Sequence, residues 1–96
     1  MSVRFEWSAD KSASNISKHG VSFDEASAVF DDPLAHIFDD EAHSLDEKRE
    51  IIIGHSVSNR LLLVSFIERD KDIIRIISAR LPTTKERKDY EENVQS

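Results

Sequence analysis

Hydrophobic and polar positions change period along this chain, and the changes divide it into elements. Val3 to Trp7 alternates, with Val3, Phe5 and Trp7 on one side, the period of a short edge strand. From Ser8 the spacing lengthens. Ala9, Ala13 and Ile16 recur at i, i+4 and i+7, which predicts a helix from about Ala9 to His19 with a narrow apolar stripe. Ser8 stands at its N-cap, and Lys18, His19 and Gly20 supply a cationic last turn and a C′ glycine. Ser22 with Glu25 has the spacing of a capping box ahead of Ala26, Val29 and Phe30, predicting a second short helix that stops before Asp31-Asp32-Pro33. Leu34 to Phe38 alternates again, and the polar run Asp39 to Lys48 reads as a loop.

The second half is more apolar. Arg49 to Val57 and Arg60 to Arg69 read as strands joined through a two-residue turn at Ser58-Asn59, since asparagine tolerates positive φ. In the latter strand Leu62, Val64 and Phe66 face one way and Leu61, Leu63 and Ile67 the other, so it is central and covered on both faces. Asp70-Lys71-Asp72 turns the chain into Ile73 to Arg80, and Pro82 ends that strand because it has no N–H to donate. Thr83 with Glu86 forms a third capping box and starts a C-terminal helix. The pattern predicts an α+β fold: a short N-terminal strand, two helices, a four-stranded antiparallel sheet and a C-terminal helix, with residues 1–96 forming one domain.

Composition narrows the chemistry. With 39% hydrophobic and 33% charged residues the chain is that of a soluble globular protein. No apolar run reaches the ~18 residues that span a bilayer, and MSVRFEWSAD lacks a signal-peptide apolar region, so a cytoplasmic address with no membrane partner is expected. The absence of cysteine removes disulfides, thiolate nucleophiles and Cys-type zinc sites. His19, His36, His43 and His55 show no metal-binding spacing, so neither metal nor cofactor is expected.

Charge is unevenly placed. Residues 1–48 hold four Lys/Arg against eleven Asp/Glu, whereas residues 49–96 hold nine against eight. Arg75, Arg80, Lys85, Arg87 and Lys88 are opposed locally by Glu86 alone, which on a chain of net charge -6 points to one anionic ligand site. A solvated helix face is the competing reading for Lys85, Arg87 and Lys88.

Five blocks in order carry a family resemblance: FEW near the start, NISKHGVSF at Asn15 to Phe23, VFDDPLA at Val29 to Ala35, IIIGHS at Ile51 to Ser56, and IRIISAR at Ile74 to Arg80 followed by TTKERKDYE. Together they resemble the BrnT toxins of bacterial type II toxin–antitoxin systems. The resemblance implies a RelE-like fold and a metal-independent endoribonuclease that cleaves mRNA and arrests growth. It also implies a hetero-oligomer with a BrnA-like ribbon-helix-helix antitoxin, operator DNA being contacted only through that antitoxin.

Attack of a 2′-hydroxyl on phosphorus needs one proton removed, another donated to the leaving oxygen, and the extra negative charge stabilised. Arg80, where a strand ends and a cationic helix begins, suits the third task because its planar fork pairs two phosphate oxygens. Its competing reading is a surface arginine paired with an acidic neighbour. Arg75 is a second candidate, on the opposite strand face unless a bulge intervenes. Arg60 starts the central strand and is expected to join Arg80. His19 has the intrinsic pKa for proton transfer, with Lys18 beside it for phosphate attraction, although the same pair is ordinary helix C-terminal chemistry. Lys85, Arg87, Lys88 and Tyr90 are candidate RNA contacts, with Tyr90 also suited to docking its helix on the sheet. His55 reads as a core histidine. A toxin-like module that binds the antitoxin without catalysis is the alternative function.

Overall fold

The computed structural model describes residues 3–43 and 47–95. Its strands are β1 (Arg4–Glu6), β2 (His36–Asp39), β3 (Glu50–His55), β4 (Leu61–Asp70) and β5 (Ile73–Arg80); its helices are α1 (Ala9–His19), α2 (Phe23–Ser27) and α3 (Thr84–Gln95). Short 3₁₀ turns occupy Ala28–Asp31 and Glu41–His43. The strands form one five-stranded sheet ordered β1-β5-β4-β3-β2. β2 to β5 make the expected antiparallel meander, but β1 joins it in parallel along β5, with Arg4 opposite Ile73 and Glu6 opposite Arg75. The sheet is therefore mixed rather than four-stranded and antiparallel. The connection from β1 through α1 and α2 is long enough to permit a strand on that edge to run parallel.

The caps explain where the helices begin and end. Ser8 Oγ accepts from the Lys11 N–H at 3.3 Å, and Gly20 closes α1 in the left-handed region at φ 68° with its N–H on the Ile16 carbonyl. At α3 both halves of the capping box form: the Glu86 N–H donates to Thr83 Oγ1 at 3.1 Å, and the Thr83 N–H donates to Glu86 Oε1 at 2.7 Å. At α2 only one half forms. Ser22 Oγ accepts from the Glu25 N–H, while the Glu25 carboxylate turns to Arg60 and Ser56, so α2 is short and tightens into 3₁₀ geometry. The β3–β4 loop is also longer than two residues. The Ser56 N–H donates to the Arg60 carbonyl across three intervening residues, and Asn59 takes the left-handed conformation at φ 61°.

Two apolar clusters flank the sheet. On one face Ile52, Leu62, Val64, Phe66, Ile76 and Ala79 pack with Val21, Phe23, Ala26 and Val29 of the α2 region. Each large side chain buried there contributes roughly 1.5–3 kcal/mol relative to exposure. Phe30 bridges Phe5 and Phe66 at ring separations of 5.2 and 5.0 Å, tying β1 to β4 across this core. On the other face Ile53 and Leu61 meet Tyr90 and Val94 of α3.

The stripe expected to bury α1 does not do so. Ala9 and Ala13 are exposed and Ile16 is 49% exposed, whereas Asn15 is 6% exposed. α1 meets the sheet at an edge rather than on a face, and a hydrogen-bonding side chain is what that edge requires. Asn15 Nδ2 donates to the Ala79 and Val21 carbonyls at 2.8 and 2.9 Å, and Asn15 Oδ1 accepts from the Ala79 N–H at 3.1 Å. The amide continues the ladder along β5 where β1 stops.

Candidate functional site

One end of the sheet collects the chemistry-bearing side chains. β5 ends there at Arg80, β4 begins after Arg60, and Asn15 binds the last turns of α1 to Ala79 beside Arg80. A bulge determines which way the β5 arginines face. Ser65 is opposite Ser78 but Phe66 is opposite Ile76, leaving Ile77 without a partner on β4. Arg80 is thus opposite Leu63 and Arg75 opposite Ile67, two residues four apart on one face of β4. The extra residue places both arginines on the same face, where simple alternation would separate them.

Each of the three arginines has a carboxylate partner. Arg75 Nη1 donates to Glu6 Oε2 at 2.9 Å across the β1–β5 register. Arg80 donates through Nη1 and Nη2 to both oxygens of Glu86 at 2.8 and 3.0 Å. Arg60 donates through Nε to Glu25 Oε2 at 3.0 Å and through Nη2 to Glu25 Oε1, and its Nη2 also reaches the Gly20 carbonyl at 3.1 Å. The Arg80 fork holds the Glu86 carboxyl down to about 2, and the Arg60 fork holds Glu25 below the usual carboxylate range. Among the described residues, Nε of Arg80 and Nη1 of Arg60 have no protein acceptor.

Arg60 and Arg80 are not joined as expected. Arg60 is drawn to α2 on one face of the sheet and Arg80 to α3 on the other, because their acids lie on those helices. Arg60 instead reaches the carbonyl of Gly20, the residue that follows His19 in sequence.

A cleft of about 210 Å³ opens between α1 and β5, lined by Lys11, Ser14, Lys18 and His19 with Ile77 and Ser78. Lys11, Lys18 and His19 are exposed and make no ion pair with a described residue, unlike the arginines. Lys11 and Ser78 were not foreseen; the i, i+3, i+7 spacing of Lys11, Ser14 and Lys18 was the available signal. The α3 candidates lie elsewhere. Lys85 and Arg87 make exposed pairs with Asp89 and Glu91 at 3.7 and 3.9 Å, and Lys88 is exposed. Tyr90 is 5% exposed, donates to the Leu34 carbonyl at 3.3 Å, and is flanked edge-on by His36 and His55. It docks α3 and presents no face for a base to stack on. His55 is partly exposed, with Nδ1 3.7 Å from Asp32.

A sequence profile of the family described as "Ribonuclease toxin, BrnT, of type II toxin-antitoxin system" matches residues 7–86. The chain belongs to the BrnT toxin family. As a BrnT-family chain it also shares a fold with a solved member: the crystal structure of the Brucella abortus ribonuclease toxin, BrnT, superposes with a TM-score of 0.66 at 21% identity, covering 86% of this chain and 100% of that one. No curated protein sequence matches it. Among the described residues no helix is long and apolar enough to cross a membrane, and no group of three His, Asp or Glu is arranged to hold a metal ion.

Proposed function

We propose that this BrnT-family chain is an endoribonuclease toxin that cleaves mRNA by metal-independent transesterification and is silenced by a BrnA-like ribbon-helix-helix antitoxin. The observation that carries the reading is the α1–β5 cleft, in which Lys11, Lys18 and His19 present positive or protonatable groups without ion-pair partners among the described residues. Lys11 and Lys18 attract the phosphodiester backbone. His19 takes the proton from the 2′-oxygen as that oxygen bonds to phosphorus, or gives one to the 5′-oxygen as its bond to phosphorus breaks. The products are a 2′,3′-cyclic phosphate and a 5′-hydroxyl. Arg80, at the end of β5, offers its unoccupied Nε to the phosphorane oxygens, and Arg60, on the other face beside Gly20, offers its unoccupied Nη1 to a neighbouring phosphate of the same RNA strand. Arg75 adds charge on the Arg80 face.

The arginine–carboxylate pairs favour a second reading, a module that retains antitoxin binding without catalysis, because each guanidinium already has an anion. Cleavage of unstructured RNA in EDTA decides between them. The nuclease reading expects His19→Ala to lower the rate by roughly 10²–10⁴. It expects Arg80→Ala to lower it by roughly 10²–10³, and Lys85→Ala to leave it unchanged. A folded, antitoxin-free sample inert toward RNA would establish the binding module.

A further inference from the structure

β2 is the outermost strand of the sheet, and its outer row of backbone N–H and C=O groups has no strand of the described residues beside it. Ile37 on one face and Phe38 on the other are 57% and 48% exposed. Behind Phe38 a groove of about 270 Å³ runs between the sheet and α3, floored by Phe38, Ile53 and Leu63, walled by Tyr90, and rimmed by Glu86 and Asp89. An open edge beside apolar side chains is the geometry that accepts an added strand, with backbone bonds supplying affinity and alternate side chains entering the groove.

Charge selects the occupant. The described residues of 31–50, which lead into β2 and on to the start of β3, hold seven Asp/Glu against two Lys/Arg. That margin repels RNA, and a second copy of this chain would bring the same acidic strand against it. A polypeptide alternating apolar and basic residues satisfies the backbone edge, the apolar floor and the acidic surroundings together. We propose that the antitoxin docks here, adding an extended apolar-and-basic segment along β2 with its apolar side chains in the groove against α3. The proposal rests on the partner reading above and gives it a place.

The test uses the full chain and the full-length antitoxin encoded with it. Hydrogen exchange on the unmodified complex should show new protection of the Ile37 and Asp39 amides, which point away from β3, since the alternate amides, in step with the Asp40 N–H on the Arg49 carbonyl, already face it. Affinity should fall about thirtyfold or more in Phe38→Glu, as at a binding hot spot, and remain unchanged in Lys18→Glu. Thermal unfolding of each free variant verifies that it is folded. Wild-type affinity in Phe38→Glu, or protection confined to the α1–β5 cleft, would overturn the location while leaving the toxin–antitoxin reading intact. Failure of the antitoxin to bind the unmodified chain would remove the partner reading itself, and the docking site with it.

Discussion

At one margin of the sheet the backbone of β5 is covered first by the three residues of β1 and then by the Asn15 amide; at the other, no strand of the described residues pairs with the outer side of β2. The first margin carries Lys11 and Lys18, unpaired among the described residues, with His19, whereas the second carries exposed Ile37 and Phe38 amid carboxylates. A covered edge gives the positive cleft a rigid floor, which suits positioning of a phosphodiester. An uncovered edge in a protein of a toxin–antitoxin family suits a partner that arrives as a strand. One sheet thus offers two surfaces of opposite charge, separated by its width.

The largest expected effect bears on the covered margin. Asn15→Leu removes three hydrogen bonds and leaves the Ala79 N–H and C=O unsatisfied, which should destabilise the fold by roughly 2–4 kcal/mol; urea unfolding measures it. A change below 0.5 kcal/mol would mean that α1 needs no amide to hold the edge. Next comes Glu86→Gln, which weakens both the α3 capping box and the Arg80 pair and should cost about 1 kcal/mol at neutral pH. Because the Glu86 carboxyl lies at about 2 against an ordinary 4.5, its stabilisation is present above pH 4.5 and is lost as pH falls toward 2. The variant should flatten part of that acid limb in thermal melts, the remainder belonging to groups such as Glu25.

For the cleft itself, replacing Lys11 and Lys18 together by alanine should reduce the salt slope of RNA binding by about 1.4, two phosphate contacts at ~0.7 each for single strands. An unchanged slope would place RNA elsewhere. The smallest effect is expected at the open margin. Ile37→Lys should change stability by no more than about 0.5 kcal/mol, since the side chain is exposed and edge strands accommodate lysine. A larger loss in urea unfolding would indicate that β2 is integral to the core.

The local signals of the fold were legible because they act over a few residues. Ser8, Ser22 and Thr83 cap the helices that their spacing implies, and the alternation of Leu61 to Ile67 marks the two-sided strand. What alternation could not reveal was β1 pairing with β5, since strand partnership is a long-range choice that leaves no periodic trace. The α1 stripe was misread for a related reason. Periodicity reports which residues share a side, but not that the helix would meet a sheet edge needing an amide from Asn15 in place of methyls. At the candidate site, residue type and position single out Arg80, Arg60 and His19 as candidates. Two of the arginines' carboxylates were not legible in this way, since Glu25 lies 35 residues from Arg60 and Glu6 lies 69 from Arg75; Glu86, legible both as a cap and as the charge opposing the cations, is the acidic neighbour that the competing reading of Arg80 calls for.

Ile77 has a consequence beyond its own packing. Because it is the surplus residue in its strand, length can be lost at that point without re-aiming anything that follows. Excising it would leave Ser78, Ala79 and Arg80 opposite Ser65, Val64 and Leu63, now by plain alternation, so the Ala79 methyl stays in the core and the Arg80 guanidinium stays on the Arg75 side. A deletion there should therefore be far milder than one in the regular run Leu61–Ser65 of β4, which has no spare residue to give up.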